Sequence, residues 1–196
     1  MNHPDFTQLR RDLDRAITFG EETRARDIAT QGLKLARERA CPGEECYFSA
    51  QFDILSGDCA KALLRLEQAL VHNPADGAAY NDIALCRLEL GQVDGTLDVF
   101  DRGIAVEEDY ATIHHNKGWF LHNLGQDEAA LQCFRRALEL EPDRAVTCEN
   151  LASVCENLGR YSEAVEYYRQ AVRLLGDGAD DIRSQLEAAI RRLDKS

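Results

Sequence analysis

The sequence has little material for a flexible or irregular chain. Proline occurs only 4 times and glycine 13 times in 196 residues, which argues against long disordered linkers. Long apolar runs are missing too. No window approaches the roughly 20 consecutive apolar residues needed to span a bilayer, and Met1–Leu13 (MNHPDFTQLRRDL) has no apolar stretch that could serve as a secretory signal. Both absences predict a soluble, cytoplasmic protein. Positive charge is in deficit: 23 Lys and Arg face 35 Asp and Glu, a formal net charge of -12. Nucleic acid and anionic membranes require a basic footprint that this balance does not offer, so neutral or basic segments of other proteins are the easier partners. Motifs of catalysis are absent as well. There is no Gly-rich phosphate loop, no nucleophile elbow, no H-E-x-x-H and no local Cys–His signature, so the chain reads as a non-enzyme without a cofactor.

Cysteine is the one residue in excess. The seven (Cys41, Cys46, Cys59, Cys86, Cys133, Cys148, Cys155) are odd in number and no pair has C-x-x-C spacing. With 44% apolar residues the chain needs no disulfide framework. The thiols are therefore expected to be reduced and mostly buried as small hydrophobes. Cys41 and Cys46, near the loop around Pro42, are the expected exposed pair and the place where redox sensing would sit.

What the chain does have is a period. A spacing of 34 residues runs unbroken through four units, 43–76, 77–110, 111–144 and 145–178. Gly57, Gly91, Gly125 and Gly159 are each fifteenth in their unit. Small residues recur at the eighth place (Ala50, Ala84, Gly118, Ala152), the twentieth (Ala62, Thr96, Ala130, Ala164) and the twenty-seventh (Ala69, Gly103, Ala137, Ala171). A bulky apolar residue fills the twenty-fourth: Leu66, Phe100, Phe134, Tyr168. The glycine falls between two segments with helical apolar spacing, where a left-handed helix end favours it. The small places let two antiparallel helices approach, and the bulky residue fills the space beside them. Pro74 and Pro142 stop the second helix. Each unit is thus a helical hairpin that buries its apolar face against its neighbours.

Residues 1–42 and 179–196 fall outside this register. The first segment reads as a degenerate hairpin broken at Gly20, with Leu9, Leu13 and Ala16 facing Ile28, Leu33 and Leu35. After Gly176 and Gly178, Asp180 or Asp181 can start a last helix that caps the array through Ile182, Leu186, Ala189, Ile190 and Leu193. Its opposite face is charged: Arg183, Glu187, Arg191 and Arg192.

The third unit, with Asn123-Leu124-Gly125, Ala130, Phe134, Ala137 and Leu140-Glu141-Pro142, resembles the tetratricopeptide-repeat family. The resemblance implies an all-α, right-handed superhelical solenoid of antiparallel helix pairs. It also implies a concave groove lined by the first helix of each unit. Thr96 and Gly103 loosen the second unit, Glu108 and Gly176 replace the terminal proline, and the usual tryptophan at the fourth place is absent. Carried onto this chain, the family's groove places give Glu44, Tyr47, Phe48 and Gln51 in the first unit and Asn81, Asp82, Leu85 and Glu89 in the second. They give His115, Asn116, Trp119 and His122 in the third, and Glu149, Asn150, Ser153 and Glu156 in the fourth.

Trp119, the sole tryptophan, is a candidate hot spot, because the core does not require an aromatic there. The alternative is that it packs against a neighbouring helix. Asp82, Asn116 and Asn150 recur at the sixth place; amides there can pair with both backbone groups of an extended peptide, or can simply solvate the helix. The groove rows hold five acids (Glu44, Asp82, Glu89, Glu149, Glu156) and no base, so an acidic peptide tail is disfavoured and a basic one favoured. His115 and His122, two turns apart, stand about 10 Å apart by helical rise, too far to share one metal ion. His114 sits at a packing place and reads as a core histidine.

The expected function is therefore an adaptor that holds a partner's peptide segment in its groove. The alternatives are a self-associating structural subunit and a dedicated substrate chaperone.

Overall fold

The computed structural model describes residues 4–176 and 179–194; Gly178, the expected end of the fourth unit, lies outside them. Eleven helices occur among the described residues. In chain order they are α1 (Pro4–Thr18), α2 (Glu22–Glu38), α3 (Pro42–Leu55), α4 (Cys59–His72), α5 (Gly77–Glu89), α6 (Thr96–Val106), α7 (Ala111–Asn123), α8 (Asp127–Leu140), α9 (Ala145–Asn157), α10 (Tyr161–Leu175) and α11 (Asp180–Leu193). Two compact units form: one ends at Glu108 and holds α1–α6, the other starts at Asp109 and holds α7–α11. None of the helices is long and apolar enough to cross a membrane among the described residues.

The hairpin turns follow from the recurrent glycine. Gly57 takes φ +76°, which an L side chain rarely adopts. Its N–H donates to the Ile54 carbonyl at 2.9 Å while the Asp58 N–H reaches back to Asp53 at 2.8 Å. This pair of bonds closes α3 in a Schellman turn and satisfies its last carbonyls. Asp58 then caps α4 by accepting from the Lys61 N–H at 3.1 Å. Within each hairpin the small places are fully buried, Ala62 and Ala69 on α4, Ala130 and Ala137 on α8, and Leu66 and Phe134 fill the gaps between them. At Gly118 the approach is close: a Cβ there would lie 3.0 Å from the Phe134 ring.

Two local departures have physical causes. Helix α6 begins only at Thr96, because Gly95 turns to φ +73° and the Thr96 hydroxyl bonds back to the Gln92 carbonyl at 2.8 Å. In the N-terminal hairpin Leu13, Ala16 and Ile28 are buried as expected, but small residues make up most of the buried face of α2. Ala25, Ala29, Gly32 and Ala36 are buried on α2, whereas Leu33 and Leu35 are only half-buried and Leu9 likewise on α1. Gly32 shows why: a Cβ there would sit 2.4 Å from the Phe48 ring. The cysteine expectation also needs correcting. Cys86, Cys148 and Cys155 are buried, but Cys41, Cys46, Cys59 and Cys133 are half-exposed, and none of the seven is in a disulfide.

Candidate peptide-binding faces

In the first unit the expected groove places are largely built over. Phe48 is fully buried, with its ring 6.1 Å from Phe6 of α1 and edge-on to Tyr47 at 5.4 Å. Arg10 of α1 covers Tyr47, its guanidinium 3.7 Å above the ring. The same guanidinium donates to both Asp76 carboxylate oxygens at 2.7 and 2.8 Å, and to Glu44 at 3.1 and 3.2 Å. Asp76 is itself the N-cap of α5, accepting from the Ala79 N–H at 2.9 Å. Burial alone would lower the Arg10 pKa, but Asp76, followed by Tyr47 and Glu44, raises it above the usual guanidinium value. Burial raises the Glu44 carboxyl in spite of Arg10. One buried cation thus joins α1, α3 and α5.

Gln51 and Asn81, also expected in the groove, are buried and hold Asp82 between them. Gln51 donates to Asp82 at 2.7 Å and Asn81 at 3.1 Å. Burial pushes the Asp82 carboxyl up to about 6, with Asp14 and Asp76 pushing the same way and the two amides opposing. Leu85 is half-buried and Glu89 exposed.

The second compact unit, which starts at Asp109, keeps more of its expected face open. Trp119 on α7 is 44% exposed, and its carbonyl accepts from Asn123 one turn on at 2.8 Å. Asn116 on α7 and Asn150 on α9 are half-buried at the same repeat place, with Ser153 half-buried one turn beyond Asn150. His115 is buried instead. Its Nδ1 lies 2.9 Å from the Thr147 hydroxyl and its ring is edge-on to Phe134. Burial, helped by Arg144, pushes its pKa down to about 3, so the ring is neutral at pH 7. His122 is half-buried with Nδ1 2.5 Å from Asp127, which also accepts from Asn157 at 3.2 Å. His114 is buried at its packing place. Among the described residues no three His, Cys, Asp or Glu side chains converge as a metal site.

Helix α11 reaches the acids of α9. Gln185 donates to Glu149 at 3.5 Å, and Arg192 pairs with Glu156, which also accepts from the Tyr168 hydroxyl at 2.9 Å. The expectation of acids without a base is thereby corrected. Arg10 and Arg192, both outside the regular units, supply the base to Glu44 and Glu156. The period could not reveal either residue. Arg192, expected on the charged face opposite the cap, reaches Glu156 instead.

Two family models described as tetratricopeptide repeat match residues 56–111 and 109–177, together more than half of the chain. A comparison with curated protein sequences finds no match. Among solved structures, a thermophilic TPR protein of Thermus thermophilus, TTC0263, is 20% identical with a TM-score of 0.69, covering 94% of this chain and 98% of that one. YrrB, described as a TPR protein with an unusual peptide-binding site, is 18% identical with a TM-score of 0.61, covering 90% and 88%. The first TPR of Spaghetti (RPAP3), bound to the HSP90 peptide SRMEEVD, is 13% identical with a TM-score of 0.57, covering 61% and 94%. Such identities establish the shared fold, an all-helical array of tetratricopeptide type. With its 34-residue period, its glycine-closed hairpins and its two matching repeat models, the chain belongs to the tetratricopeptide-repeat family.

Proposed function

We propose that this protein is an adaptor that binds an extended peptide segment of another protein on α7 and α9 of its second compact unit, around Trp119. The observation that carries the reading is the exposure of the sole tryptophan, 44%, beside half-buried Asn116, Asn150 and Ser153. An aromatic ring exposed among polar groups offers a large rigid contact at low entropic cost, and the amides can pair with a peptide backbone. Two of the similar structures carry peptide binding in their descriptions, which fits this reading. An acidic peptide such as SRMEEVD suits this chain poorly. The net charge is -12, and Arg10 and Arg192 are already engaged by carboxylates, so a neutral or basic segment is the better ligand.

The test is a titration of a partner captured from the source cell, with Trp119 fluorescence as the signal for the parent and calorimetry for the mutants. Trp119→Ala should weaken binding by about 2 kcal/mol or more. Asn116→Ala and Asn150→Ala should each cost on the order of 1 kcal/mol. Helix content should hold in all three. Unchanged affinity in every mutant would move the interaction to another surface.

A further inference from the structure

Helix α11 meets α9 in a fixed register. Gln185 and Arg192, two turns apart on α11, reach Glu149 and Glu156, two turns apart on α9, and both contacts span 36 residues of sequence. The two acids bracket Asn150 and Ser153, so α11 touches both ends of the α9 stretch assigned to the peptide. The contact at Glu156 is lopsided. Its side chain is only 13% exposed, and its Oε2 accepts from the Tyr168 hydroxyl of α10 at 2.9 Å. Its Oε1 takes the Arg192 guanidinium, and the Arg192 side chain is 56% exposed near the end of α11. The cation therefore leaves the pair with little change in its own hydration. The carboxylate stays where Tyr168 holds it, shielded from water, and a shielded carboxylate that loses its cation favours a replacement.

We propose that Glu156 selects a basic side chain of the bound segment and that Arg192 is its intramolecular competitor, which a partner's Lys or Arg must replace. The inference rests on peptide binding around Trp119 and names the chemistry that the adjoining position accepts. Glu156 lies one turn beyond Ser153 on α9, about 4.5 Å along the helix axis, which two residues of an extended peptide cover. Tyr168 orients the carboxylate, so Oε1 presents the same acceptor to an incoming guanidinium or ammonium as it does to Arg192. The exchange needs only the Arg192 side chain to swing into water. Ile182 and Ala189 are buried and keep α11 seated as the cap while it does so. A segment without a positive charge gains nothing at Glu156, because it leaves the Arg192 pair in place. The C-terminal helix thus sets a threshold that basic segments cross by exchange of one cation for another.

The experiment titrates octa-arginine into the full-length chain by calorimetry, with circular dichroism to confirm that each variant keeps its helix content. Arg192→Gln should tighten binding about two- to five-fold, the size of one exposed ion pair, and Arg192→Lys should stay near the parent. Adding Glu156→Gln to Arg192→Gln should cancel the gain. Adding Glu187→Gln instead, which restores the same net charge at a side chain 71% exposed on α11, should leave the gain in place. An Arg192→Gln chain that binds no tighter than the parent would overturn the inference. So would a gain that Glu187→Gln cancels as fully as Glu156→Gln, since net charge alone would then explain it, and so would octa-arginine binding to neither the parent nor Arg192→Gln. Trp119→Ala in the same titration separates the two readings. Weaker binding there without a gain in Arg192→Gln sinks the competition alone, whereas unchanged affinity there removes the peptide face and the competition with it.

Discussion

Replacing Arg10 with methionine isolates the charge of the side chain, because methionine keeps much of its stem. In the parent the guanidinium makes four hydrogen bonds of 2.7 to 3.2 Å to Asp76 and Glu44. The side chains are 9%, 2% and 11% exposed, so solvent cannot stand in for the lost cation. Removing one partner of a buried ion pair leaves uncompensated charge and costs about 3–5 kcal/mol. Converted at about 1.4 kcal/mol per decade, that is a fall of roughly two to three and a half orders of magnitude in amide protection. Trp119 lies in the other unit and would not report the change, so the assay is hydrogen exchange followed on peptides of α1, α3 and α5. The sign with pH is a second check. Without Arg10, which lowers it, the Glu44 carboxyl rises further above its ordinary value. The penalty is then full above that folded value and is relieved as pH falls through it, so the gap from the parent should narrow on acidification. Adding Asp76→Asn and Glu44→Gln to Arg10→Met should recover most of the loss, because asparagine still caps α5. A loss below about 1 kcal/mol, or a gap that widens in acid, would refute the reasoning.

Three further outcomes are expected. His115 is neutral when folded down to about pH 3 but titrates near 6.5 when unfolded, so the unfolded state binds the extra proton in that window. Stability should fall on acidification by up to about 1.4 kcal/mol per pH unit, and His115→Gln should remove that slope from denaturation midpoints measured between pH 6.5 and 4.5. Deleting residues 179–196 removes the cover that Ile182 and Ala189 give, together with the Arg192–Glu156 pair, so light scattering should show aggregation or melting should fall clearly. A truncated chain as stable as the parent would make α11 a tail. Gly32→Ala places a Cβ 2.4 Å from the fully buried Phe48 ring, and the overpacking of about 1–3 kcal/mol should exceed the gain of roughly 1 kcal/mol in helix propensity, lowering the melting temperature.

The period makes the interior of the array legible because each small or bulky place answers to a partner at a constant spacing within its own hairpin. Ala62, Leu66 and Ala69 meet α3 in the way that Ala130, Phe134 and Ala137 meet α7, so four sequence copies report one geometry. The ends have no copies to compare. In the N-terminal hairpin Leu13, Ala16 and Ile28 are buried as their spacing suggests, but on α2 alanines and a glycine take the place expected of Leu33 and Leu35, because close approach to Phe48 excludes bulk at Gly32. The groove places of the first unit fail for a related reason. They transfer from interior repeats, where a first helix has equivalents on both sides, whereas α3 lies beneath an irregular α1 that buries Tyr47 and Phe48. The charges follow the same logic. Glu44 and Glu156 meet the irregular ends of the chain, where flanking helices take them out of water and an opposite charge must come with them. Arg10 lies 34 residues before Glu44, and Arg192 lies 36 after Glu156. Glu89, exposed in the interior of the array, has no such requirement. The bases therefore belong to the segments in which repeat patterning is weakest, and comparing acids with bases inside the regular units alone could not have found them.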